Sequence, residues 1–367
     1  MFRWKADKLN DTGLIEEIDN CKINRPISDE LNIVMDGIFH CIRKITGNLD
    51  DVKNEKLSIY LGATAGMRLL NQMEPNLARR ILDRIRNEFQ SNGMNIKRIS
   101  IISGQEEGMF AWIAANYLSG TLFKNKSIGI LDMGGASAQI ARAIQSNERQ
   151  THDNNNDDDQ DYQRIRLFGN EYNIYTFSNI CFGAEQALFR YIRLLIYRHK
   201  MDKNGGNNKM IDVPCFPRGF RTVSTKFSLY NNICTAMKSE KSDNSNSNDD
   251  DYELIGTGQL EQCQQDIEWL LNREKCEENF RICFKEITNS NDDEQRQQMN
   301  NQFYAISSYY HETKVLRFEK FENISRLQYL NEYHRICMKT FDEMNDELRI
   351  DIRFTSSMCF RLPFIIR

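Results

Sequence analysis

Hydrophobic positions along this chain follow two rhythms. From Leu77 to Phe89 they recur at helical spacing, with Leu77, Ile81, Leu82, Ile85 and Phe89 on one face. That spacing predicts an amphipathic helix whose stripe is core. Shorter apolar runs at Leu57–Leu61, Ile96–Ser103 and Ser127–Leu131 predict strands, and Cys21–Pro26 reads as extended. Gln259–Asn272 predicts a helix with Trp269 on its core side, and the segment from Asn301, rich in Phe and Tyr, predicts helix. Periodicity disappears in 151–161, 238–251 and 288–302, which are polar and acidic. These read as solvated insertions, since none has the ligand spacing of an EF-hand loop.

Chemistry concentrates where the predicted strands end. After Ser127–Leu131 comes Asp132-Met133-Gly134-Gly135-Ala136-Ser137-Ala138-Gln139. Glycines there let backbone N–H groups approach phosphate oxygens closely. Asp132 is placed to hold a divalent metal through water, and Ser137 and Gln139 to hydrogen-bond an attacking water. A Gly-Gly after a strand is by itself compatible with a simple tight turn. Two further segments have the same strand, turn, helix form: Tyr60–Leu70, which contains Thr64, Gly66 and Arg68, and Ile102–Trp112, which sets Glu106 and Glu107 at the turn. Ligands of open α/β sheets bind outside the carboxyl ends of strands. Arg68, one turn into its helix, has two roles open to it: a phosphate contact or an ion pair with an acid.

These residues resemble the nucleoside triphosphate diphosphohydrolase (apyrase) family. The match runs through Leu61–Leu70, Ile102–Leu118 and Ile130–Gln139. It continues more weakly at Leu167–Tyr175, Cys181–Leu188, Asp212–Phe216, Tyr252–Gly258 and Phe303–Tyr310. The resemblance implies an α/β fold of two actin/ribonuclease-H-like lobes with a nucleotide cleft between them. Here the lobes would be residues 1–103 and 104–367. It implies hydrolysis of nucleoside tri- and diphosphates with Ca²⁺ or Mg²⁺. Glu107 would be the base, Ser137 and Gln139 would hold the water, and Asp132 and Thr64 would hold metal-bound waters. Gly134, Gly135 and Ala136 would face the phosphates, and Tyr309 or Tyr310 would stack on the base. Glu106 would be structural.

The chain also departs from that pattern. The family's first phosphate loop would precede Phe2–Lys5, and its final Trp-containing motif would follow Cys359; neither is present. Ala138 replaces a usual Thr or Ser. An incomplete or catalytically impaired nucleotide-binding chain is therefore one alternative. A sugar kinase or exopolyphosphatase of the same superfold is another, opposed by the paired Glu106-Glu107 and the cysteine set.

Composition narrows the remaining classes. The 367 residues suffice for two cores. A net charge of -4 with interspersed signs, and no basic cluster with interleaved aromatics, excludes nucleic acid as the expected partner. No run is apolar enough to span a bilayer and no signal peptide is present, so a membrane anchor is expected only in a longer form. Ten cysteines without zinc-site spacing fit a disulfide framework. The resemblance pairs Cys21–Cys41, Cys181–Cys234, Cys215–Cys263, Cys276–Cys283 and Cys337–Cys359. With acceptor patterns at Asn10, Asn125 and Asn323, this suggests a glycoprotein of the extracellular space or secretory lumen.

Overall fold

The computed structural model describes residues 2–6, 15–21, 23, 31–46, 58–122, 127–144, 162–202, 209–224, 232–239, 251–284, 302–318 and 325–365. The acceptor asparagines Asn10, Asn125 and Asn323, and nearly all of the three acidic insertions, lie outside these residues. In chain order the elements are β1 (Phe2–Ala6), β2 (Ile15–Asn20), α1 (Leu31–Thr46), β3 (Ser58–Ala63), α2 (Ala65–Met73), α3 (Pro75–Ser91), β4 (Asn95–Ile101) and α4 (Gly104–Leu118). There follow β5 (Gly129–Met133), β6 (Ser137–Ile144), β7 (Tyr162–Leu167), β8 (Asn170–Ile180), α5 (Ala184–Met201), β9 (Met210–Val213), β10 (Arg221–Ser224) and β11 (Tyr252–Gly256). The last are α6 (Leu260–Leu270), α7 (Arg273–Asn279), β12 (Phe303–Ser307), α8 (Ser308–Val315), α9 (Arg326–Cys337), α10 (Phe341–Leu348) and α11 (Ile352–Ile365).

The chain divides into two compact units. One comprises Met1–Phe110 with Ala143–Thr176; the other comprises Ala111–Arg142 with Phe177–Arg367. In the first unit, β3 and β4 pair in parallel, with α2 and α3 forming the crossover between them. The α3 stripe is buried as its spacing requires: Ile81, Ile85 and Phe89 meet Val34, Ile38 and Ile42 of α1, with Leu77 and Leu82 packed at the margin. Proline at the first position of α3 is suited to a helix start, where its missing N–H leaves no hydrogen bond unmade.

A five-stranded sheet has the order β12-β5-β6-β8-β7, of which β12, β5 and most of β6 belong to the second unit. In it β5 pairs parallel to β12 and antiparallel to β6. A separate three-stranded sheet has the order β10-β11-β9. The core of the second unit gathers Tyr191 and Leu194 of α5, Val213, Leu254, Ile267 and Tyr333, and Met358, Phe360 and Leu362 of α11. The rings of Tyr191 and Phe360 stack with centroids 5.1 Å apart. All five disulfides implied by the resemblance are present, and no cysteine is free. Among the described residues no helix is long and apolar enough to cross a membrane.

Two sequence expectations need correction. The segment from Asn301 does not begin as helix: Phe303–Ser307 is strand β12, and helix starts only at Ser308. Aromatic and β-branched residues fit a pleated surface, and pairing with β5 decides the state there. Glu106 and Glu107, expected at the turn, lie in the first turn of helix α4, which starts at Gly104. The Ser103 hydroxyl accepts from Glu106 N–H and the Glu106 carboxylate accepts from Ser103 N–H, a reciprocal cap that draws both acids into the first turn.

Candidate active site

In the first unit, β3 and β4 end side by side, and Ile102 N–H donates to Ala63 O across the two ends. Thr64 immediately follows β3 and caps α2 through its carbonyl, which accepts from Met67 and Arg68 N–H. Its hydroxyl makes no capping bond, and Thr64 is exposed. Arg68 takes the ion-pair role: Nη2 stands 2.8 Å from Glu107 Oε2, while Nη1 donates to Ile102 O at 3.1 Å. Both side chains are mostly buried, with 15% and 20% exposure. Arg68 therefore ties Glu107 to the end of β4. Glu106 is engaged differently. It holds the Ser103 cap and pairs with Arg98 at 2.7 Å, and these bonds keep its pKa below the ordinary glutamate value.

In the second unit, cross-strand register sets Asp132 of β5 directly opposite Gln139 of β6. Alternation then brings Ser137 to the same face. Ser137 and Gln139 are nearly fully buried. The Gln139 amide donates to Ser137 Oγ at 2.6 Å and to Ser178 Oγ of β8 at 3.0 Å. Asp132 is the least compensated group in the hairpin: its Oδ1 is buried with no hydrogen-bond partner. Burial raises its pKa, and a hydrogen bond from the Ser307 hydroxyl partly opposes that rise. Ser307 closes β12 at φ 61°, ψ −119°, a conformation that non-glycine residues rarely adopt.

Between β5 and β6 the loop is held from beneath by the start of α5. Ala184 N–H donates to Gly134 O, and the N–H groups of Glu185 and Gln186 both donate to Gly135 O. Cys181 N–H donates to Ala136 O, and Gly134 N–H donates to Ser137 O. Gly134 is thus committed inside the loop. The amides of Gly135 and Ala136 make no hydrogen bond among the described residues, which leaves them as the donors able to face an anion. Gly183 makes this packing possible, because a Cβ there would lie 2.4 Å from Ala136 N. Tyr309, two residues past Ser307, is half-buried, and burial together with the Asp132 charge raises its pKa. Tyr310 is exposed.

A loop of paired glycines, an uncompensated strand-end acid and a buried Ser–Gln pair form one constellation, and the chain around it matches a known family throughout. The model of the GDA1/CD39 (nucleoside phosphatase) family covers residues 1–367. The chain belongs to this family. Among its GDA1/CD39 relatives, ectonucleoside triphosphate diphosphohydrolase 3 of Mus musculus is 27% identical, across 100% of this chain and 68% of its own length. Ectonucleoside triphosphate diphosphohydrolase 1 of Bos taurus is 28% identical, across 100% of this chain and 70% of its own length. A solved nucleoside triphosphate hydrolase structure from Neospora caninum shares the fold, with a TM-score of 0.51 at 16% identity, covering 90% of this chain and 72% of that one.

The residues present suit a hydrated divalent cation. A buried carboxylate oxygen without a partner is a strong acceptor in need of a donor. Among the described residues no group of three or more Asp, Glu, His or Cys side chains gathers at one point. A cation at Asp132 would thus keep most of its water, as Mg²⁺ commonly does. Three contributors escaped sequence reading. Ser178 lies 39 residues from its partner Gln139. Ser307 was concealed by the helical reading of its segment. Gly183 becomes legible only once α5 is seen beneath the loop.

Proposed function

We propose that this chain hydrolyses nucleoside tri- and diphosphates by attack of water on the terminal phosphate, with Ca²⁺ or Mg²⁺ as cofactor. The observation that carries the reading is the unpartnered, buried Asp132 oxygen beside the Ser137–Gln139 pair and the two unengaged loop amides. Family membership and the names of the relatives support the same substrate class.

In this mechanism Glu107 accepts the proton of the attacking water as the oxygen–phosphorus bond forms. Ser137 and Gln139 orient that water, their own geometry fixed by the mutual hydrogen bond and by Ser178. The Gly135 and Ala136 amides stabilise the phosphoryl oxygens, and the phosphorus–oxygen bond to the departing nucleotide breaks. Asp132 and Thr64 would hold water molecules of the cation, which when bound neutralises phosphate charge. Tyr309 and Tyr310 would flank the nucleotide base, with Tyr309 also packing the Asp132 side of the site. The disulfides and the relatives' designation as ectoenzymes favour an extracellular or luminal setting.

Phosphate release from ATP and ADP, measured with and without Ca²⁺ or Mg²⁺, tests the proposal. Wild-type activity should depend on the cation and should fall by at least about a hundredfold in Glu107→Gln. A cation-dependent activity left intact in Glu107→Gln would remove Glu107 as the base. No release by a folded wild-type chain would refute the hydrolase assignment for this chain.

A further inference from the structure

Arg190, on α5, is fully buried and has no carboxylate partner among the described residues. Its Nη1 donates to Cys234 O at 2.6 Å, and its Nη2 lies 3.1 Å from Cys276 Sγ. The rings of Phe182 and Phe280 lie 4.8 and 4.2 Å from the guanidinium carbon, and Nε has no partner. Burial alone pulls the Arg190 pKa down to about 9. A buried cation without a counter-ion is expensive, and aromatic faces and one carbonyl compensate it only in part. Among the described residues that touch this guanidinium, Cys276 sulfur, now bonded to Cys283, is the atom able to become an anion.

Access distinguishes the two ends of that disulfide. Cys276 is fully buried, whereas Cys283 is half-buried. Both cysteines of Cys181–Cys234, Cys215–Cys263 and Cys337–Cys359 are buried. The Cys276–Cys283 loop, with a separation of 7 residues, is also the shortest of the five, so opening it releases the least chain entropy.

We propose that Cys276–Cys283 is a thiol–disulfide exchange site for a dithiol reductant, with Arg190 receiving the departing Cys276 thiolate. The reductant thiolate attacks Cys283 Sγ. The Cys276–Cys283 bond breaks, and its electron pair leaves on Cys276, which pairs with the guanidinium. The reductant's second thiolate then attacks its own sulfur in the mixed disulfide and releases Cys283 as thiolate. The reductant ends as a cyclic disulfide, its two thiol protons pass to solvent or to Cys283, and the protein gains two electrons. A leaving thiol of lower pKa leaves faster, and an adjacent cation lowers that pKa. Cys181–Cys234, whose Cys234 carbonyl accepts from Arg190, and the fully buried Cys215–Cys263 stay closed in this exchange.

The test uses the whole oxidised chain, a graded series of dithiothreitol, iodoacetamide trapping and peptide mass spectrometry. Cys276 and Cys283 should be alkylated first, roughly tenfold faster than Cys21 and Cys41. Cys21–Cys41 also has one half-buried cysteine and controls for access. Arg190→Met should abolish that advantage, and Arg190→Lys should keep most of it. The proposal is overturned if another pair opens first in the wild type, a result that needs no variant to fold. It is equally overturned if folded Arg190→Met opens at the wild-type rate.

Discussion

Replacing Gly183 by alanine isolates the packing that supports the loop between β5 and β6. Gly183 adopts φ −72°, ψ 159°, which any L-residue can occupy. Alanine there carries no backbone strain, and by restricting the unfolded chain it would add about 0.4–1 kcal/mol of stability. Sterics act the other way. The new Cβ would stand 2.4 Å from Ala136 N and 2.5 Å from both Gly135 C and Ser137 N. Comfortable contact is about 3.5–4.0 Å, so loop and helix must part by roughly 1 Å. The obstructing atoms are backbone and cannot rotate aside. Overpacking of this kind costs about 1–3 kcal/mol, which outweighs the chain-entropy gain. The net loss, about 1–2 kcal/mol, corresponds to a fall in Tm of roughly 2–8 °C for a unit of this size. Catalysis should suffer more, because a displacement of about 1 Å in the phosphate donors costs on the order of a hundredfold in kcat/KM. Calorimetry and phosphate release on the same preparation separate the two effects. A Tm within about 1 °C of wild type together with unchanged kcat/KM would show that α5 does not set the loop amides.

Two further perturbations probe buried carboxyl groups. Glu312 on α8 is almost fully buried. It faces Arg361 of α11 at 3.6 Å and lies near Tyr329 of α9, whose pKa it helps to raise. Burial lifts the Glu312 pKa from 4.5 to about 7. The folded value exceeds the unfolded one, so this group's stabilisation is complete below about pH 4.5 and is lost as pH rises through about 7, amounting to about 3 kcal/mol. Tm of the wild type should therefore drop relative to Glu312→Gln between pH 5 and pH 8; parallel Tm–pH curves would rule this out. Asp132→Asn removes a buried charge whose pKa is raised by desolvation. It should raise Tm in cation-free buffer while abolishing the Tm increase produced by Ca²⁺, and a retained Ca²⁺ response would detach the cation from Asp132.

Legibility in the sequence followed the range of the interactions involved. The α3 stripe, the strands read at Leu57–Leu61 and Ile96–Ser103, and the Asp132 hairpin are local patterns, and the structure has them, with the strands at Ser58–Ala63 and Asn95–Ile101. The role of Glu106 was also local, since Ser103 and Glu106 are three residues apart. Arg68 was ambiguous because its partner Glu107 lies on another helix, and no local rule selects between phosphate and carboxylate. The Phe303–Ser307 strand was misread because its aromatic-rich composition suits a helix face as well as a pleat, and only pairing with β5 decides. The disulfides came from family resemblance, since connectivity does not follow from cysteine count.

What the sequence conceals at the hairpin is its concentration of local costs. Asp132 buries a carboxylate oxygen without a partner. Ser307 holds a left-handed φ to reach that carboxylate. Gly183 gives up a side chain so that α5 can press against the loop. The first two lower stability and the third is the residue the close packing requires; each comes from a different segment of the chain, so no single local preference produces all three. Folding alone would favour an amide or apolar residue at position 132 and a glycine at position 307. The surrounding core is stapled by disulfides and carries buried polar groups of its own, Arg190 and Glu312 among them. An unpartnered acid and a strained backbone that meet at one strand end are the pattern expected where function opposes stability. Relief of the cost at Asp132 should therefore stabilise the protein while weakening its response to the divalent cation.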